Sequence, residues 1–212
     1  MLQRKKIIRF VLLTGTIAAW FAVVAQLYLI IVNRAASVSE TIIRYFSFYT
    51  ILTNILVAIC FTISTTSPLS RWGRFFSRAT TVTAIAVYIT VVGLVYNFIL
   101  RALWKPEGTQ RLVDELLHSV IPALFIIYWS LFKDKGRLKY KNAFRWLAYP
   151  LVYILFVLFR GKLSGYYPYP FINVQNLGYD KVFLNCFFLF LAFLLISFVF
   201  IFFGSINKES SR

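Results

Sequence analysis

Long apolar runs, each about as long as a bilayer crossing, alternate along this chain with short polar gaps. A helix needs about 20 apolar residues to span roughly 30 Å of hydrocarbon. Six stretches qualify: 7–32, 45–66, 79–100, 116–132, 143–159 and 181–204, the fourth and fifth at the lower limit of length. No linker, low-complexity tract or repeat of 20–50 residues interrupts them, and no inverted repeat relates the first three runs to the last three. The pattern predicts one all-α, polytopic domain over 1–212, a six-transmembrane-helix bundle. The segment Gly161–Tyr179 stands apart, too broken by glycine and proline to be helical. Its Tyr166, Tyr167, Tyr169 and Phe171 suit the interfacial belt, where a ring meets lipid and a hydroxyl meets water. Two roles stay open for it: a belt loop anchoring the sixth span, or a lid over an outward-facing cavity.

Composition sharpens this reading. With 60% hydrophobic residues, a soluble domain of 212 residues could not hide its apolar surface, whereas a bilayer can. A net charge of +16 raises the question of nucleic acid, but only 14% of residues are charged and they lie in the gaps between apolar runs. That is the distribution of anchoring charge, not of a phosphate-tracking face, so nucleic acid is not an expected partner. The first apolar run follows Arg4, Lys5, Lys6 and Arg9. It is much longer than the core of a signal peptide and no small-residue cleavage site follows, so it reads as a retained span.

Of the 23 basic residues, 15 fall at the two termini and in the loops 67–78 and 133–145. Acidic residues lean the other way: Glu40, Glu107, Asp114, Glu115 and Asp180 against Asp134 and Glu209. Both termini are therefore expected in the cytoplasm, with the protein in a plasma membrane. The stretch from Lys133 to Lys141 is expected to anchor the chain and touch anionic lipid heads. Cys60 and Cys186 sit at different depths and are not expected to pair. The C-terminal Ser-Ser-Arg offers no lipidation box.

Polar residues gather at one depth. Thr50, Thr53 and Asn54 open the second span, Asn97 and Arg101 close the third, and Asp114, Glu115 and His118 open the fourth. Arg160 closes the fifth and Gln26 lies in the matching half of the first. An ionisable side chain inside a span is costly, so the lone His118 is a functional candidate by default. Asp114 stands four residues before it and Glu115 three, on the same helix face, where a carboxylate can accept one ring proton and leave the other nitrogen as a base. Pro122 denies the His118 carbonyl its helical partner and can bend the helix there. Thr50 and Asn54 also share a face, pairing a candidate nucleophile with a hydrogen-bond donor. Against these, threonine in a membrane helix usually bonds the carbonyl one turn back, and asparagine is more often helix glue. Arg101 and Arg160 fit interfacial snorkelling better than a binding role, whereas Tyr167 and Tyr169 fit belt and lid equally. One histidine without a partner His or Cys argues against a metal, and no cofactor is expected.

The motifs Phe48-Tyr-Thr-Ile-Leu-Thr-Asn54, Leu116-Leu-His-Ser-Val-Ile-Pro122, Tyr149-Pro-Leu-Val-Tyr153 and Gly165-Tyr-Tyr-Pro-Tyr-Pro-Phe-Ile172 resemble the androgen-induced-protein family of integral membrane proteins. The likeness covers nearly the whole chain in span order and places it near the family's small, mostly uncharacterised bacterial six-span branch. It implies a threonine and a histidine as the catalytic pair of a lipase that cleaves fatty acid esters of hydroxy fatty acids. By position His118 matches the histidine. Thr50 follows the aromatic run as the family nucleophile does, while Thr53 better preserves the distance to nearby polar residues. The animal motif sets its threonine three residues before Asn or Asp, whereas Thr50 precedes Asn54 by four. The proline here is likewise one residue closer to the histidine.

The expectation is thus an intramembrane threonine hydrolase of an ester-containing lipid. Thr50, or alternatively Thr53, attacks; His118 is the base; Asp114 or Glu115 orients it; Asn54 or Asn97 supports the oxyanion. Arg101, Arg160, Tyr167 and Tyr169 are the binding candidates, and the partners are membrane lipid and a lipophilic ester. The alternatives are a transporter or solute-binding protein with His118 and Asp114 as a proton-linked gate, and a structural subunit whose polar layer meets a partner protein. Oligomeric state is not legible from the chain.

Overall fold

A computed structural model of the protein describes residues 2–132, 135 and 138–206. Those residues form helices and turns, with no strand among them. The helices are α1 (Leu2–Val32), α2 (Val38–Phe46), α3 (Tyr49–Thr66), α4 (Arg71–Phe76), α5 (Ala79–Val95), α6 (Gly108–Glu115), α7 (Ile121–Leu131), α8 (Lys141–Trp146), α9 (Ala148–Ser164) and α10 (Val174–Ile206). A π-turn, Tyr96–Leu100, prolongs α5, and a second, Leu116–Val120, joins α6 to α7. Six helical stretches are long and apolar enough to cross a membrane: Leu2–Val32, Tyr49–Thr66, Ala79–Leu100, Gly108–Leu131, Lys141–Ser164 and Val174–Ser205. This is the architecture of a multi-pass membrane protein.

Local chemistry sets the boundaries that hydropathy missed. The second span begins at Tyr49 and not Tyr45, because Tyr45 belongs to the short amphipathic α2. That helix opens with an N-cap: the Ser37 hydroxyl accepts the Glu40 N–H at 3.3 Å. The fourth span begins at Gly108, extended by the polar turn of α6. The fifth continues to Ser164, ended by Gly165 in the left-handed region at φ 71°. The segment Gly161–Tyr179 is therefore more helical than its glycines and prolines indicate. Only 165–173 lies outside α9 and α10, and a 3-10 turn at Pro170–Ile172 occupies part of that. Gly178, at φ 75°, absorbs the break inside α10.

At the centre lies α5, the most buried of the spans, packed by α3, α7 and α10. Gly15 lets α1 approach α3 so closely that a Cβ there would stand 2.5 Å from the ring of the fully buried Phe61. Tyrosine hydroxyls tie elements together through backbone carbonyls: Tyr45 donates to Val23 (2.6 Å), Tyr88 to Trp146 (2.7 Å) and Tyr153 to Ser47 (2.9 Å). Without water in an apolar interior such donors need a protein acceptor.

The Lys133–Lys141 anchor is altered by the structure. Lys135 is buried, donating to the Ser130 carbonyl at 2.9 Å with its ammonium 4.0 Å from the centre of the Trp129 ring, while Lys133, Asp134 and Arg137 lie outside the described residues. The acidic Glu209 and the C-terminal Ser-Ser-Arg also lie outside them. Arg4 donates to the Leu131 carbonyl, so one of the N-terminal basic residues is engaged with α7. Both cysteines are free and buried.

At the opposite end, Glu40 accepts from Arg44 (2.8 Å) and Arg160 (2.7 Å), and both guanidiniums lie over the Tyr166 ring, at 4.3 and 5.1 Å from its centre. The bonded Arg44, with Arg160 behind it, holds the Glu40 carboxyl below its ordinary value against the desolvation that would raise it. The folded-state value is the lower one, so the knot contributes fully above the unfolded value and fades as pH falls through the folded one. Glu40→Gln is therefore expected to lower the melting temperature at neutral pH. Its gap from the wild type should narrow between about pH 5 and pH 3, as followed by thermal denaturation in detergent. Gly15→Leu, which drives a side chain into Phe61, is expected to cost about 1–3 kcal/mol in the same measurement.

Candidate functional site

The polar ends of α1, α3, the two π-turns and the 165–173 loop surround a cavity of about 600 Å³. Thr50, Asp114, His118 and Tyr169 are on its wall, with Gln26 and Trp104. A narrower apolar crevice of about 70 Å³, reaching Cys186 and Phe190 on α10, shares Thr50 and Tyr169 with it. These two residues stand at the junction of the chambers.

Thr50 occupies the first turn of α3, where a backbone N–H has no helical acceptor. The Tyr169 hydroxyl takes that role, lying 3.2 Å from the Thr50 nitrogen and 3.2 Å from its Oγ1. Pro168 and Pro170 hold Tyr169 in the cavity wall, and its ring stacks on Phe171 with centres 5.2 Å apart. Burial pushes the Tyr169 phenol above its ordinary value, so it stays a neutral donor. Pro168, Tyr169 and Pro170 of the loop line the cavity, and its central tyrosine reaches the threonine.

His118 sits in the middle of the second π-turn, where hydrogen bonds run five residues back, as from Ile121 N–H to the Leu116 carbonyl. Its ring lies flat on Tyr96 of the first π-turn, centres 3.8 Å apart and planes 11° off parallel. Its Nδ1 is 2.9 Å from the Asp114 backbone carbonyl. A carbonyl only accepts, so Nδ1 carries the proton and Nε2 offers a lone pair.

This corrects the role expected of the two carboxylates. The Asp114 carboxylate accepts from Trp104 Nε1 (2.7 Å) and Gln110 Nε2 (3.3 Å), with no hydrogen bond to the imidazole among the described residues; Gln110 also donates to Gln26 at 2.9 Å. Glu115 is spent on Arg101 (2.6 Å) and Ser119 (2.9 Å). The peptide carbonyl of Asp114, four residues before the ring, does the orienting.

The amides are corrected too. Asn54 Nδ2 donates to the Thr50 (2.9 Å) and Leu117 (3.2 Å) carbonyls, and Asn97 Nδ2 to Gly93 (2.9 Å) and His118 (3.3 Å). Each NH₂ has two protons and both are used, so neither residue has a donor for an oxyanion. Both are the helix glue that membrane interiors favour. The Asn54 Oδ1 is buried without a partner among the described residues.

Of the two threonines, Thr50 faces the cavity. Thr53 is fully buried beside Tyr149, hydroxyls 3.3 Å apart, and is absent from the wall. Arg101 and Arg160 serve Glu115 and Glu40, and Tyr167 covers Gly161; none of the three lines the cavity. No hydrogen bond joins Thr50 to His118 among the described residues, although both face the same space. No three His, Cys, Asp or Glu side chains come together as a metal cage among those residues.

Tyr96, Trp104, Gln110 and Asn33 also line the cavity and were not expected there. Trp104 and Gln110 lie in the polar gap after the third span, where hydropathy offers no signal. Only the closeness of an indole donor to the acidic pair in sequence hints at the Trp104–Asp114 bond.

No family model, curated protein or solved structure matches this chain.

The bond from Asn97 to the His118 carbonyl replaces the N–H that Pro122 lacks, and Gly93 leaves room for it: a Cβ there would stand 3.1 Å from that carbonyl. Asn97→Leu strips the carbonyl of its donor and is expected to cost about 1–3 kcal/mol in chemical denaturation.

Proposed function

We propose that this protein is a plasma-membrane hydrolase of an ester-containing lipid, with both termini cytoplasmic, Thr50 as nucleophile and His118 as general base. The observation that carries the reading is the shared cavity: a threonine hydroxyl and an imidazole Nε2 with a free lone pair face one largely apolar space at the junction of two chambers. The excess of basic residues at the termini and in the loops on their side supports the orientation. The family resemblance names the same residue types in the same spans and points to fatty acid esters of hydroxy fatty acids as the substrate class.

In this mechanism Thr50 Oγ1 forms a bond to the ester carbonyl carbon as Nε2 of His118 takes its proton. The tetrahedral intermediate collapses, the alkoxide leaves and receives that proton from His118, and the acyl group stays on Thr50. Water, deprotonated by Nε2 of His118, then attacks the acyl-threonine; the bond to Thr50 Oγ1 breaks, the proton passes from His118 to that oxygen, and the acid is released. The oxyanion donors are the Thr50 N–H and the Tyr169 hydroxyl, since the amides of Asn54 and Asn97 are spent. The Tyr169 hydroxyl now accepts the Thr50 N–H, so an entering carbonyl oxygen takes its place on that N–H and accepts from the phenol beside it.

That contact also favours a second reading, a lipid- or solute-binding protein or transporter in which the Tyr169–Thr50 bond closes the passage between chambers. Labelling with a fluorophosphonate separates the two. The folded wild type and Thr53→Ala are expected to label. Thr50→Ala and His118→Ala should not label, and Tyr169→Phe should react roughly 10²-fold more slowly, as loss of an oxyanion donor predicts. A folded wild type that fails to label leaves the binding reading.

A further inference from the structure

A second concavity, largely apolar with a few polar groups in its wall, lies toward the other end of the bundle from Thr50. It is a groove of about 340 Å³ between the α4–α5 corner and α8. Its two walls are fixed to each other by the Tyr88 hydroxyl, which donates to the Trp146 carbonyl at 2.7 Å. Thr81, Ile85 and Tyr88 share one face of α5, and Asn142 and Arg145 one face of α8, by their three- and four-residue spacings.

Apart from the Tyr88 hydroxyl, the polar side chains of this groove have no hydrogen-bond partner among the described residues. Thr62, Thr65, Thr66 and Thr90 each donate to the carbonyl four residues back, but Thr80 and Thr81 make no side-chain hydrogen bond among the described residues. They stand in the first turn of α5, where Arg78 at the N-cap supplies no capping side chain, so backbone N–H groups there are also unmatched. Asn142 is only 7% exposed, yet its amide too has no partner among the described residues. Arg145 is exposed and forms no ion pair among those residues, whose carboxylates (Glu40, Glu107, Asp114, Glu115, Asp180) all belong to the opposite end. Donors therefore converge where no carboxylate lies among the described residues, above an apolar floor of Leu56, Ala84 and Ile85.

We infer that this groove binds the phosphate of an anionic membrane phospholipid. Arg145, Thr80, Thr81, Asn142 and the free N–H groups of α5 hold the phosphate, and the apolar floor receives the start of the acyl chains. A lipid is favoured over free phosphate because the groove lies where two spans begin and its wall is mostly apolar, with Phe75 and Trp146 in it. The site is independent of any chemistry at Thr50.

The test is native mass spectrometry of the full chain, delipidated in neutral detergent and titrated with phosphatidylglycerol or phosphatidylcholine. Phosphatidylglycerol is expected to bind selectively and Arg145→Gln to weaken it roughly fivefold, the worth of one basic residue at a membrane surface. Thr81→Val should weaken it also, whereas Arg71→Gln, a neighbouring cation outside the groove, should leave it unchanged. Equal binding of the two lipids would overturn the inference, as would equal losses in Arg71→Gln and Arg145→Gln, which mark diffuse charge attraction. Displacement of the lipid by inorganic phosphate would assign the site to the free ion instead.

Discussion

A proline inside an apolar helix leaves one carbonyl without its N–H, and an interior without water demands that the gap be filled. At Pro122 that carbonyl belongs to His118, and Asn97 from the neighbouring span fills it. Several features of the polar end serve the same contact. Gly93 has no Cβ to keep the carbonyl away, and the two π-turns meet face to face there. The wider turn at 116–120 sets the imidazole on Tyr96 with Nδ1 on the Asp114 carbonyl. A regular helix through the same residues would present the ring at a different angle.

The same rule of satisfied donors governs the rest of the bundle. The buried Tyr45, Tyr88 and Tyr153 hydroxyls and the Asn54 amide each end on a carbonyl, whereas the Tyr49 hydroxyl is buried without a partner among the described residues. The consequence for chemistry is restrictive, because a donor committed to structure is not free to stabilise a developing charge. Asn54 and Asn97 are in that position, as are the Trp104 and Gln110 donors that hold Asp114. The exceptions thereby become informative: the lone pair on His118 Nε2, the Thr50–Tyr169 pair between two chambers, and the unmatched groups along α5 and α8.

The two ends of the bundle also differ electrostatically. Around Thr50 the acidic residues Glu40 and Glu115 are neutralised by arginines on other elements, which ties α2, α9 and the third and fourth spans together. The opposite end is short of carboxylates among the described residues, and its cations turn to carbonyls, as Arg4 and Lys135 do, or to an aromatic face. A protein built this way holds a fixed polar end and an end that can accept anions.

Composition and hydropathy alone determine the six apolar spans, because the length of a bilayer crossing is written directly in the run of apolar residues. Spacing along the chain also determines that His118 follows Asp114 by one turn and that Pro122 frees a carbonyl, since both are facts of a single helix. Which neighbour answers that carbonyl is not written there. Asn97 lies in a different span, and Tyr169 meets Thr50 across more than a hundred residues of chain. Thr50 and Thr53 stand within one turn of each other, so only the packing of α3 against α5, the second π-turn and the 165–173 loop decides which faces the cavity. The tertiary structure likewise gave the orienting task to the Asp114 carbonyl and took its carboxylate away. The physical reason is that spacing fixes which residues share a helix face, while the partners each face meets depend on how the helices assemble.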